Sequence, residues 1–338
     1  MTLLAVPITG RTTAEALTQV RRATEEFGAD AIELRLDYLT DADLPAVLAA
    51  LRPGVKVIAT ARDPAEGGVW SADDAERIAA LVGAARLRPD YLDVELATWT
   101  RCPEVEKRLA GFLNGPAGRA GQDCSCRLIL SVHDVARRPA EPNRLLAELE
   151  AAPCHVAKIV WQAESACDNL LAFDLMRSCP KPVIVIAMGE AGLPSRILAK
   201  KFGAFLSFCS SDEGSGSAPG QIGIDEMKRL YRWDSIGPRT SVYGVIGCPI
   251  AHSMSPAIHN AAMAECGFDA VYLPFRVEPG YEPFEAFVRG LIDRAWMDLR
   301  GLSVTIPHKE NALRFVGDAA EPLARRIGAV NTLVLSLI

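Results

Sequence analysis

No stretch of this 338-residue chain approaches the ~20 consecutive apolar residues needed to cross a bilayer. Its first residues, MTLLAVPITGRTTAEAL, lack a basic region ahead of their short apolar run, so no secretory leader is read there and a cytoplasmic protein is expected. The nine cysteines (102, 124, 126, 154, 167, 179, 209, 248 and 266) are odd in number and contain no Cys-x-x-Cys pair. That argues against a disulfide framework or a zinc ribbon and suits reduced thiols and no metal. No G-x-G-x-x-G occurs, so the usual phosphate turn of a dinucleotide site is missing. Positive charge is not in excess either: 36 Lys and Arg against 42 Asp and Glu leave a net charge of -6. Such a balance offers nothing to nucleic acid or anionic lipid, and the expected partner is a small molecule.

What is present is a globular composition, with 49% hydrophobic and 23% charged residues. At ~100–200 residues per domain the length suits two domains. From Leu3 to about Trp233, short β-branched runs alternate with amphipathic stretches. The strand candidates are 3–9, 31–36, 55–62, 91–96, 127–134, 155–161, 183–188 and 205–210. Stretches such as 14–28 and 73–87 carry apolar residues at helical spacing between them. Eight such units predict a (β/α)8 TIM barrel, an α/β fold, with an open doubly wound sheet as the alternative. Polar residues tilt the choice: Glu33, Arg35, Arg62, Asp93, Glu95, His133 and Lys158 occupy the middle or C-terminal half of strands, the ends that converge at a barrel mouth. The Pro- and Gly-containing segment 233–241 reads as a linker between a barrel at 1–232 and a smaller, partial α/β sandwich at 242–338. The closing apolar run has no cap and reads as a truncation. An uncovered apolar face would make 242–338 less stable than the barrel, or bury it against the barrel or a second chain.

Lys158 shares a strand face with Val156 and Val160. A Lys in apolar surroundings loses preference for its ammonium form, falls below its free pKa of ~10.4, and becomes a nucleophile toward a ketone or aldehyde. The plainer reading is an ion pair with Glu33 or Glu95 inside the barrel. His133 ends its strand two residues after Ser131, pointing where Lys158 points, and suits proton transfer beside an imine. Glu33, Arg35, Arg62 and Glu66 gather two carboxylates and two guanidiniums at one rim, suited to a polyhydroxylated or anionic ligand, or else forming solvated surface pairs. The loops 189–196 and 214–221 follow strands seven and eight, where barrels hold anions, and Arg196 opens the helix after the first of them. These residues indicate an imine-forming barrel acting on an anionic carbonyl compound, and leave aldolase and dehydratase both open.

ELRLDYL (33–39), TARDPAEGG (60–68), SVHD (131–134), VAKIV (156–160), IAMGEAGLPSRI (186–197) and SAPGQ (217–221) come in the order and spacing of one family. The chain from 3 to about 232 resembles type I 3-dehydroquinate dehydratase. The resemblance implies that Lys158 forms an imine with the C3 ketone of 3-dehydroquinate, while His133, oriented by Glu66, takes the C2 proton and helps the C1 hydroxyl leave. It implies Arg196 at the substrate carboxylate, Glu33, Arg35, Arg62, Ser217 and Gln221 at the hydroxyls and neighbouring groups, and Met188 and Phe208 as walls. Neither metal nor organic cofactor is implied.

YGVIGCPIAHSMSPAIHN (243–260), GLSVTIPHKE (301–310) and GAVNTLV (328–334) resemble the start of shikimate dehydrogenase. By that resemblance Ser253 and Ser255 hold the shikimate carboxylate, Thr305 and Asn331 its hydroxyls, and Lys309 is the catalytic lysine. Without it, HSMSP reads as a turn with Ser255 as helix N-cap and Pro256 at the first helical position. The family's NADP domain would follow Asn331 and has no counterpart before Ile338, so the expected parent is a bifunctional dehydratase and dehydrogenase, and hydride transfer is not expected of this chain. The rival readings are an imine-forming aldolase on a sugar phosphate and a C-terminal unit serving only as a docking module. Shikimate and a second copy of the chain are further candidate partners; nucleic acid and membrane are not.

Overall fold

The computed structural model describes residues 2–335 apart from 40, 71–72, 114–125 and 212–219. Eight parallel strands follow one another around a nearly closed barrel: β1 (Leu3–Ile8), β2 (Ala31–Arg35), β3 (Lys56–Thr60), β4 (Tyr91–Glu95), β5 (Arg127–Asp134), β6 (Val156–Gln162), β7 (Val183–Met188) and β8 (Leu206–Phe208). β8 pairs with β1, and the amide of Phe205 reaches the Val183 carbonyl at 2.7 Å to close the ring at its N-terminal end.

Between the strands run α1 (Thr13–Arg21), α2 (Leu44–Ala49), α3 (Asp74–Ala85), α4 (Leu96–Arg101), α5 (Pro103–Leu109), α6 (Pro142–Ala151), α7 (Cys167–Ser178), α8 (Leu193–Ile197) and α9 (Ile224–Arg229). Local chemistry starts them where it should. Thr12 and Glu15 form a reciprocal capping box on α1, and Asp73 accepts the Glu76 amide at 2.9 Å on α3. The helix expected over 14–28 is α only to Arg21 and then widens into a π turn, Arg22–Glu26. The eighth strand is shorter than the expected 205–210, because the Ser210 backbone leaves β1 to pair with Ile222 and Ile224 at 2.9 and 3.0 Å.

Period-two alternation sorts the side chains into two layers. On β6, Val156 and Val160 join the barrel interior with Ile129, Ile184 and Ile186, while Ala157, Ile159 and Trp161 face the helices. Lys158 therefore points inward, flanked by apolar residues, as the sequence predicts. Truncating a buried aromatic of the outer layer such as Phe173 costs about 3–5 kcal/mol, which is the scale of what holds the shell on the barrel.

A second sheet carries β9 (Ser241–Gly247), β10 (Ala270–Arg276), β11 (Leu299–Val304) and β12 (Thr332–Val334) in the order β10-β9-β11-β12, with β12 antiparallel. Its helices are α10 (Ser255–Glu265), α11 (Tyr281–Ile292), α12 (Lys309–Val316) and α13 (Pro322–Ile327). Buried Asn260 of α10 exchanges two 2.8 Å bonds with the backbone of Tyr272, fixing that helix on the sheet. Ser255 is not the N-cap. Met254 takes that position with no capping side chain, Ser255 and Pro256 open the helix, and Ser253 Oγ accepts the Ser255 amide at 3.3 Å.

The segment 233–241 joins the two sheets but is packed rather than loose. Trp233 is 1% exposed, and Lys200 donates to the carbonyls of Trp233 and Asp234 at 3.1 and 2.9 Å. Buried Lys201 donates to the carbonyls of Pro238 and Thr240 at 3.0 and 2.9 Å and to Asp298 Oδ2 at 2.8 Å. Trp296 completes the seam, with the Phe202 ring at 5.2 Å and the Arg177 guanidinium at 4.5 Å. The far side of the second sheet leaves Ile258, Leu323, Ile327 and Val334 well exposed. Among the described residues no helix is long and apolar enough to cross a membrane.

Candidate active site

A cavity of about 260 Å³ opens at the C-terminal ends of the barrel strands. Glu33, Arg35, Arg62, Glu66, His133, Lys158, Met188, Arg196, Phe208 and Gln221 line it, so the cavity collects these sequence-predicted residues from six strand ends and their loops. Ser217 lies outside the described residues. Arg196 is the fourth residue of α8 rather than its first.

Lys158 is 3% exposed, and its Nζ stands 2.7 Å from Asp93 Oδ2, 3.6 Å from Glu33 Oε1 and 4.8 Å from the centre of the Phe208 ring. The ion pair inside the barrel is therefore real, but its main partner is Asp93, and Glu95 is engaged elsewhere. Glu95 takes Arg62 at 2.7 Å on one oxygen and Arg77 at 2.8 Å on the other. Arg62 also reaches Asp93 Oδ1 at 3.0 Å and Ser131 Oγ at 2.8 Å. A buried chain of alternating charge thus runs from Lys158 through Asp93, Arg62 and Glu95 to Arg77. Burial opposes ionisation of Asp93, yet the Arg62 and Lys158 charges outweigh it and hold this carboxyl well below the usual range. For Arg62 burial is likewise overcome, by Asp93 and Glu95, and its guanidinium is held more firmly than usual.

Glu66 Oε2 accepts the His133 amide at 2.8 Å and lies 3.1 Å from His133 Nδ1. Burial pushes the Glu66 carboxyl up to about 7, against the pull of Arg62. Burial, reinforced by the Arg62 and Lys158 charges, holds the His133 imidazole well below its ordinary value, so the ring is neutral. Across the cavity Arg196 is 1% exposed, with no carboxylate against it among the described residues. Its Nε has no partner and its Nη1 makes one long contact, 3.4 Å, to the Phe208 carbonyl. Burial lowers this guanidinium to about 10. The arrangement places a lysine amine and a neutral imidazole on adjacent strands, in one cavity with a buried guanidinium that meets no carboxylate among the described residues.

Asp93, Ser131 and Arg77 complete the network without having been assigned roles from sequence, and Glu95, expected against Lys158, joins it through Arg62 and Arg77. Their signal was there in part: Asp93 and Glu95 share the face of Tyr91, which joins the barrel interior. The loops after β7 and β8 meet through glycine, since a Cβ on Gly220 (φ +69°) would come within 2.5 Å of the Gly189 backbone.

In the second sheet a cavity of about 240 Å³ is lined by Val245, Pro249, Ile250, His252, Ser253, Ser255 and Thr305. It gathers Ser253, Ser255 and Thr305 of the five residues expected there. Among its described lining residues Lys309 and Asn331 do not appear, although Asn331 O accepts the Val304 amide at 2.8 Å, next to Thr305.

Comparison with known proteins agrees with both halves. A family described as type I 3-dehydroquinase matches residues 4–238, and one described as shikimate dehydrogenase substrate binding domain matches 245–333. The bifunctional 3-dehydroquinate dehydratase/shikimate dehydrogenase of Arabidopsis thaliana, a chloroplastic protein, is 36% identical over 315 residues, covering 91% of this chain and 49% of that one. The chain thus spans about half the length of that relative. The 3-dehydroquinate dehydratase of Desulfotalea psychrophila is 30% identical over 210 residues, 61% of this chain and 87% of its own. The solved structure of dehydroquinate dehydratase and shikimate dehydrogenase from S. pombe AroM aligns with a TM-score of 0.53 at 27% identity, covering 98% of this chain and 62% of that one. With its barrel and the cavity at its mouth inside the matched region, the chain belongs to the type I 3-dehydroquinase family.

Proposed function

We propose that the barrel dehydrates 3-dehydroquinate to 3-dehydroshikimate, a step of the shikimate pathway, through an imine on Lys158. The observation that carries this is the buried Lys158 amine beside a neutral His133 in one cavity, across from an unpaired Arg196. Arg196 takes the substrate carboxylate, an anion for a cation otherwise buried at a cost. Lys158 adds to the C3 ketone as the free amine, and the proton it gives up is taken by the carbinolamine hydroxyl, which leaves as water to give an iminium. With His133 Nδ1–H donated to Glu66, Nε2 holds the lone pair that removes the C2 proton, the electrons passing into the C–N system as an enamine. The imidazolium then protonates the departing C1 hydroxyl, and hydrolysis of the new iminium returns Lys158. Glu33 and Gln221 face the ring from the same wall.

Borohydride added with 3-dehydroquinate reduces the iminium and fixes the ligand to Lys158. The expected mass spectrum shows the Lys158 peptide heavier by the reduced adduct. An unmodified Lys158 in a preparation that turns over the substrate, or turnover of a sugar phosphate with none of 3-dehydroquinate, overturns the reading.

The smaller cavity is proposed to bind shikimate through Ser253, Ser255 and Thr305, and calorimetric titration with shikimate tests it. NADP is given no place in this chain. The connections after β9, β10 and β11 read CPIAHSM, VEPG and TIPH, none a glycine-rich turn that would present consecutive amides to a pyrophosphate.

A further inference from the structure

The geometry points to Asn169 as a positioning residue for Arg196. Among the described residues little holds the Arg196 side chain in place, although its carbonyl accepts Ser207 Oγ at 2.9 Å. It rides on α8, a helix of five residues, too short to keep its geometry alone, and its side chain makes only the long contact to the Phe208 carbonyl. Its backbone placement comes from outside. Asn169, fully buried at the start of α7 and absent from the cavity wall, accepts the Ser195 amide on Oδ1 at 2.9 Å. Its Nδ2 donates to the carbonyls of Ala191 at 2.7 Å and Ala166 at 2.9 Å. One amide side chain therefore grips the β7–α8 connection from both ends and ties it to α7.

The neighbouring residues serve the same grip. Ser195 Oγ donates to the Gly192 carbonyl at 2.7 Å and accepts the Ala187 amide at 3.1 Å, anchoring the residue before Arg196 to β7. Asp168, equally buried, accepts the amides of Glu164 and Ser165 at 2.7 and 2.9 Å and Arg138 at 3.0 Å. The start of α7 is thus bonded into the loops after β5, β6 and β7, those that follow His133 and Lys158 and lead to Arg196. A shift of ~1 Å in a group that positions substrate is enough to cost about 10²-fold in rate, so the fixed end of α8 bears directly on anchoring.

The assay rests on the dehydratase reading; the inference itself concerns Arg196 as an anion site. In the full chain, Asn169→Ala is expected to raise KM for 3-dehydroquinate about tenfold while kcat changes less than about threefold. In an Arg196→Met background the same substitution changes kcat/KM by less than about twofold, because the group through which Asn169 acts is gone. Asn169→Asp, which keeps the acceptor for Ser195 but loses both donors, falls between. It also serves if the alanine variant does not fold. Equal losses in the two backgrounds, or a fall in kcat with KM unchanged, overturn the assignment. Should the parent protein fail to turn over 3-dehydroquinate, the dehydratase reading falls by itself, and the cycle is read from the melting shift given by acetate and by inorganic phosphate. An Arg196-dependent shift weakened by Asn169→Ala supports the positioning role, and a shift indifferent to Asn169 refutes it.

Discussion

Arg62 and Arg196 line the same cavity and are both buried, yet among the described residues Arg62 touches two carboxylates and Arg196 none. Burial is outweighed at the first and unopposed at the second, so their guanidiniums shift in opposite directions. One arginine belongs to the fabric of the barrel. The other meets no counter-charge among the described residues.

Removing that uncompensated cation is therefore expected to help the free protein. Arg196→Met relieves an uncompensated buried charge and should stabilise the chain by about 1–3 kcal/mol, a rise of a few degrees in Tm. The same variant should lose the further rise that 3-dehydroshikimate gives the parent. A melting scan with and without that compound checks both, and a lowered Tm in the free variant refutes the account.

Arg62 behaves in the opposite way. Arg62→Met leaves Asp93 and Glu95 facing each other without the charge between them, and breaking a buried pair of this kind costs about 3–5 kcal/mol. Loss of Tm by ten degrees or so, or failure to accumulate as soluble protein, is the expected result, whereas near-parental melting would show the network to be dispensable.

Imine and base divide the proposed reaction. Lys158→Ala should abolish borohydride trapping together with turnover, because no second lysine lines the described cavity. His133→Ala should lower turnover by about 10²–10⁴-fold while trapping persists. Equal loss of both signals in the His133 variant, with circular dichroism unchanged, contradicts this division.

Glu66 gives a pH test. Its carboxyl titrates near 7 in the fold against an ordinary 4.5, so protonation favours the folded form. That contribution is complete below about 4.5 and is lost as the pH rises through 7. Glu66→Gln cannot ionise and still accepts from the His133 amide. Its Tm relative to the parent should climb between about pH 5 and pH 8, by an amount equivalent to roughly 1–3 kcal/mol. Titration of His133 runs the other way but is present in both proteins and drops out of the difference. A pH-independent difference would show that Glu66 is not raised.

Alternation and strand-end position were enough to bring Lys158, His133, Glu33 and Arg62 to one mouth, because period two fixes the face of a strand and parallel strands fix the end. Which carboxylate would meet Lys158 was not legible. Glu33, Asp93 and Glu95 all point inward, and the choice depends on register between strands two apart in the ring and on Arg62 pulling Glu95 away. Likewise RWDSIGPRTS has the composition of a loose connection. Its burial depends on Trp233 finding the core and on Lys201, which local pattern does not reveal. The misplaced cap at Ser255 is an error of one position, where Ser253 and Ser255 are equivalent candidates by residue type.

Lys201 also bears on how freely the two halves of the chain can be recombined. Two of its three bonds go to main-chain carbonyls, which any residue at 238 and 240 would supply; the third requires an acid at 298. Asp298 adopts φ +54°, a conformation that Asp and Asn enter more readily than Glu. Length, charge and backbone together select aspartate there. A chimaera joining this barrel to a second half that lacks that residue would seal an ammonium ion in the seam without its counter-charge, so the two halves are interchangeable among relatives only as matched sets.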